Sequence, residues 1–147
     1  MAMEISTEEN ENLVSAIYQS AMEAVHAGKN ISKNEDLVYQ IERLAQEVNS
    51  GASFEQYFRW VEKQDIDSVI EYLQALNMTE VHQIVLQAIK IAFPNGIPED
   101  KSTYDEYTEW NEAQLDELAN LFEKFEKYNG AITNRLGKFI LTNKLAP

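Results

Sequence analysis

The sequence predicts an all-α protein, a single compact domain of about seven to eight helices spanning residues 1 to 147, and three observations carry that prediction. Apolar residues recur at three- and four-residue steps in segment after segment. Gly (5) and Pro (3) are few, and no stretch alternates apolar with polar as a half-buried strand does. At 147 residues the chain is long enough to bury a continuous core.

Residues 8 to 27 read as the first helix, with Leu13, Ala16, Ile17, Ala21, Ala24 and Val25 as its apolar stripe. Ser6 and Glu9 give it an S-x-x-E capped start, and Gly28 a stop. A second helix is expected from about Asn34 to Asn49, boxed by Ser32 and Glu35, with Leu37, Val38, Ile41, Leu44, Ala45 and Val48 buried. Gly51 is expected to close it in the left-handed conformation.

"NSGASFEQYF", residues 49 to 58, then reads as a corner between helices. Ser53 is expected to cap the next helix, with Gln56 reaching back to the Ser53 N–H. Phe54, Tyr57, Phe58 and Val61 fall at i, i+3, i+4 and i+7, with Trp60 alongside, as an aromatic wedge for burial. Asn49, Gly51, Ser53, Phe54, Gln56, Tyr57 and Phe58 thus form a structural motif. Read instead as a base-stacking platform, the same aromatics lack basic interleaving, since only Arg59 and Lys63 lie nearby.

Further helices follow at about 66 to 76 (Ile66, Val69, Ile70, Leu73, Leu76) and 78 to 93 (Val81, Ile84, Val85, Ala88, Ile89, Ala92), the latter capped by Asn77 with Glu80. "FPNGIPED", residues 93 to 100, is the clearest break, because Pro94 bars continuation and Asn95-Gly96 supplies a turn. A short helix is expected over Thr103 to Glu109. Asn111 with Gln114 starts a long one to about Tyr128, with a seam of Leu115, Leu118, Phe122 and Phe125. After Asn129-Gly130, a final helix carries Ile132, Leu136, Phe139 and Ile140.

Several chemistries are excluded or unsupported. No Cys is present, which rules out disulfides, thiolate nucleophiles and thiolate metal sites. Glu23 and His26 have the Glu-x-x-His spacing of helical di-metal sites, but the second such pair is missing, because His82 follows Glu80 at the wrong spacing. Those two are read as polar residues flanking a buried Val25. "AGKN" at 27 to 30 lacks the rest of a P-loop, and no strained nucleophile turn supports a triad. The expectation is no metal, no cofactor and no catalytic residue.

The N-terminus, "MAMEISTEENEN", is acidic where a signal peptide is basic and then apolar, and the most apolar run, "IVLQAIKIAF", is broken by Gln87 and Lys90. A cytoplasmic bacterial protein is expected. A formal charge of −13 argues against direct binding to nucleic acid or an anionic membrane and favours a basic partner. The charge is also concentrated: residues 99 to 126 hold ten acidic and two basic side chains, whereas 127 to 147 hold Lys127, Arg135, Lys138 and Lys144 and no acid. On the helix from Asn111, Glu112, Asp116 and Glu123 share one face opposite Leu118 and Phe125, and Asp105 and Glu109 extend its phase if the helical path runs through Trp110. Carboxylates on successive turns lie about 5 to 6 Å apart, comparable with the phosphates of one nucleic-acid strand.

"EVNSGASFEQYF" (47 to 58), "AFPNGIPED" (92 to 100) and "LDELANLFEKFEKY" (115 to 128) together resemble a small acidic all-helical bacterial domain family whose described member is a DNA-mimic protein. The resemblance covers about residues 35 to 140. The family's joint is typically Glu-Val-x-Asn-Gly-Gly-Phe-x-Gln-Tyr-Phe, and this chain has Ser-Gly-Ala-Ser where Asn-Gly-Gly is usual. The resemblance implies a non-enzymatic binding protein that blocks a helix-turn-helix transcription regulator from its operator through surface charge. An immunity-type inhibitor of a basic toxin or nuclease is the alternative within the binding class, and a hydrolase using Glu23, His26 or other carboxylates is the alternative among enzymes.

Overall fold

The computed structural model describes residues 7–99 and 110–147. Seven α-helices and one 3₁₀ turn are placed among them, with no strand, so the fold is all-α as predicted. The helix expected over Thr103 to Glu109 and the Ser6 half of the first capping box lie outside the described residues. The chain divides into two compact units, one formed by residues up to 42 together with 129–147, the other by residues 43–128.

The first unit contains α1 (Thr7–His26), the first half of α2 (Lys33–Gly51) and α7 (Asn129–Thr142). α1 packs along α7, with Val14, Ile17 and Ala21 buried on one and Ile132, Leu136 and Ile140 on the other. Tyr18 stacks on Tyr39 of α2 at 5.5 Å between ring centres. The capping box at the start of α2 is formed as expected: the Glu35 N–H donates to Ser32 Oγ and the Ser32 N–H to Glu35 Oε1. Two expectations fail here. Val25 is 39% exposed, because it lies in the last turn of α1, beyond the final buried position, Ala21. Asn129 and Gly130 lie within the first turn of α7 and not ahead of it.

The second unit contains the rest of α2, α3 (Glu55–Trp60), α4 (Lys63–Ala75), α5 (Thr79–Ala92), α6 (Glu112–Phe125) and the 3₁₀ turn Glu126–Tyr128. Its core is built on the joint. Phe54, Tyr57, Phe58 and Val61 are all fully buried, as their spacing predicts. Phe54 meets Phe125 of α6 edge-on at 5.6 Å, Phe58 meets Phe93 at 5.2 Å, and Phe93 meets Trp110 at 6.1 Å. Trp60 does not join this wedge and is 59% exposed, since it points more than about 90° away from the buried stripe of its own short helix.

Four helices end in the same way: a left-handed residue follows the helix, and the next N–H bonds back across the final turn to a carbonyl five residues earlier. The left-handed residues are Gly28, Ala52, Asn77 and Lys144, and the bonds run from Lys29 to Ala24, Ser53 to Val48, Met78 to Leu73 and Leu145 to Ile140. Two cap assignments change accordingly. Gly51 stays helical, and Ala52, at φ 51°, makes the turn. Asn77 closes α4, and α5 takes Met78 as its N-cap, with no side-chain cap bond.

The Ser53–Gln56 box is also not formed. The Ser53 N–H is already engaged by Val48, so Gln56 instead donates to Glu47 Oε2 at 2.7 Å, while Ser53 Oγ accepts from the Glu55 N–H. Gly51 serves a different purpose: a Cβ there would stand 3.0 Å from Gln56 Cβ, so its lack of a side chain admits Gln56. Asn49 bonds back to the Ala45 carbonyl at 2.6 Å.

Candidate partner-binding face

α6 carries the predicted acidic stripe, and its sequence fixes its start, anchorage and rotation. The start is a complete capping box, with the Gln114 N–H donating to Asn111 Oδ1 at 2.8 Å and the Asn111 N–H to Gln114 Oε1 at 2.9 Å. The same end is tied to α5 twice. Trp110 Nε1 donates to the Ala92 carbonyl and Gln114 Nε2 to the Ile91 carbonyl, each at 2.9 Å. The Arg59 guanidinium covers the Trp110 ring at 4.9 Å while holding Glu55 at 2.8 Å.

Burial of Leu118, Leu121 and Phe125 sets the rotation. The expected seam therefore shifts: Leu121 replaces Leu115 and Phe122 as a fully committed position, those two being half-buried. The α-helix ends at Phe125, and the 3₁₀ turn completes the path to Tyr128.

At about 100° per residue, Glu112, Asp116 and Glu123 fall within about 40° of one another, on the side opposite the buried positions. All three are exposed. None takes part in an ion pair among the described residues. From Glu112 to Glu123 the row runs about 16 Å, interrupted by Ala119 on the intervening turn. Asp105 and Glu109, the other two predicted stripe residues, lie outside the described residues.

Beside the stripe lies a groove of about 530 Å³ between α5 and α6, lined by Gln87, Lys90, Ile91, Glu117, Asn120, Leu121 and Lys124. Periodicity along a single helix does not reveal it, because it requires knowing which face of α5 adjoins α6. The joint motif, by contrast, supplies core and corner and little accessible surface: Phe54, Tyr57 and Phe58 are fully buried and Ser53 nearly so.

Glu23 and His26 are exposed on the last turns of α1, and Glu23 accepts from Gln19 at 3.0 Å. No group of three or more metal-ligating side chains converges among the described residues. No helix of the described residues is long and apolar enough to cross a membrane.

A family model described as DMP19-like protein matches residues 29–143. The chain belongs to the DMP19-like family. No curated protein and no solved structure matches it. The matched span covers the joint, the break after α5 and the whole of α6, and the resemblance read over residues 35 to 140 falls inside it. α1 precedes the matched span, which begins in the loop before α2.

Proposed function

We propose that this DMP19-like protein is a non-enzymatic, acidic binding protein of the DNA-mimic type, which occupies the DNA-binding surface of a basic partner, a transcription regulator in the first instance. The observation that carries this reading is the row of Glu112, Asp116 and Glu123, exposed and without an ion pair among the described residues, on a helix tied down at its start. Carboxylates left without internal cations keep their full field for an external one, and a rigid helix presents them without an ordering penalty. Charge complementarity of this kind gives fast, salt-sensitive association.

The test is a pull-down at about 50 mM salt, with captured proteins identified by mass spectrometry and then purified for competition against their DNA. Wild-type protein displaces DNA from the regulator, and Glu112→Gln/Asp116→Gln/Glu123→Gln loses at least about tenfold in affinity, roughly 0.5 kcal/mol per removed charge pair. Undiminished competition by the triple variant would reject the stripe as the binding face.

A further inference from the structure

The groove between α5 and α6 departs from a pure phosphate imitation. Its floor is apolar, formed by the half-buried Ile91 and buried Leu121. Its rim carries Lys90 and Lys124, which a chain of charge −13 places beside its acidic row. Neither lysine is ion-paired among the described residues, although Glu117 lines the same groove. Asn120 stands between groove and stripe, about 60° around α6 from the centre of the stripe, so the two surfaces are continuous on one helix. A surface that only imitates a row of phosphates has no use for cations or for an apolar cleft there.

Resting on the reading of the stripe as a partner-binding face, we propose that the groove receives an amphipathic segment of that same basic partner. The segment inserts one apolar side chain against Ile91 and Leu121 and sets a carboxylate against Lys90 and Lys124, while its cationic residues lie along Glu112, Asp116 and Glu123. Complementarity of charge selects that occupant: anion opposite the two lysines, cation opposite the three carboxylates, and an apolar anchor between them. The lysines then act in specificity, rejecting basic segments that lack the acidic residue.

The experiment uses the full chain and two synthetic helical peptides of equal net charge, titrated at about 50 mM salt. One is rich in Arg with a Leu and a Glu on its flank; in the other Ala and Gln replace them and one Arg is neutralised. An oligo-arginine peptide is the third probe. The anchored peptide is expected to bind about tenfold more tightly than its partner peptide, and backbone amides of Gln87, Lys90 and Ile91 on α5 are expected to shift on its addition.

Lys90→Glu/Lys124→Glu adds negative charge, yet is expected to abolish the anchored peptide's advantage while tightening oligo-arginine. Equal tightening of all three probes by that variant, or shifts confined to the Glu112, Asp116 and Glu123 face, would overturn the groove's role and leave the stripe standing. Oligo-arginine binding that ignores Glu112→Gln/Asp116→Gln/Glu123→Gln would overturn the stripe and the groove together.

Discussion

Gly137 and Asn10 show how far one missing side chain can specify a helix pair. Asn10 on α1 is buried, its Nδ2 donates to Asn134 Oδ1 at 3.0 Å, and its own Oδ1 has no hydrogen-bond partner among the described residues. That oxygen sits where a Cβ on Gly137 would be, and such a Cβ would also lie 2.7 Å from Asn10 Cγ. Gly137→Ala is therefore expected to destabilise the protein by about 2 to 3 kcal/mol in urea unfolding. Asn10→Ala costs about 1 kcal/mol through the lost bond, and in the double variant it restores much of the Gly137→Ala loss, because the struck side chain is gone. Simple additivity of the two would mean that the clash is relieved elsewhere. The helix ends give a second residue-level expectation. Ala52 is exposed and holds φ 51°, so Ala52→Gly is expected to stabilise by up to about 1 kcal/mol, whereas Gly28→Ala, at φ 73° with open space around it, is expected to destabilise by a similar amount.

Helix caps show which parts of the elements were legible in the sequence. Two boxes, Ser32 with Glu35 and Asn111 with Gln114, formed as read because both members lie in the strict i, i+3 relation and, among the described residues, their N–H groups are bonded to one another's side chains and not to a preceding helix. The Ser53 and Asn77 assignments failed for one common reason. In each case the previous helix had already claimed the joint, with a left-handed residue and a bond back across the turn, so the short link ends one helix more than it starts the next. Buried aromatics of the joint were legible from spacing, whereas Trp60 was adjacent in sequence and not in phase. The exposed row on α6 was legible because its apolar side fixes its polar side. Its groove was not, since that depends on a neighbour 20 or more residues away in sequence. The Asn111 box also carries a prediction: Asn111→Ala is expected to lower stability by about 1 kcal/mol, and to raise amide exchange first in the opening turn of α6, next to Gln114. Uniform exchange changes across α5 and α6 would show that the cap does not act locally.

Charge is the property of the whole molecule, and it sets two quantities moving in opposite directions. A net charge of −13 on 147 residues repels itself in the compact state more than in the expanded chain, and dissolved salt screens that repulsion. The favourable local pairs oppose this only weakly: Arg59 with Glu55 and Lys63 with Asp67 are surface contacts between successive turns, at 2.8 Å each. Asp67's hydrogen bond and charge raise Lys63 above the ordinary 10.5. A raised folded-state value places that pair's contribution fully below pH 10.5, to be lost as pH climbs past it, so it stays constant through any salt series at neutral pH. Raising NaCl from about 20 to 500 mM, a range over which the Debye length shrinks from about 20 Å to about 4 Å, is therefore expected to raise Tm by a few degrees. The same series is expected to weaken capture of the basic partner by at least about tenfold, because the attraction between protein and partner is screened along with the repulsion within the protein. Both are read from one set of buffers, by thermal denaturation and by equilibrium binding. A Tm that falls with salt would mean that the surface pairs outweigh the net charge; capture that holds at 500 mM would mean that the contact is carried by apolar burial, with the carboxylate row in a minor part.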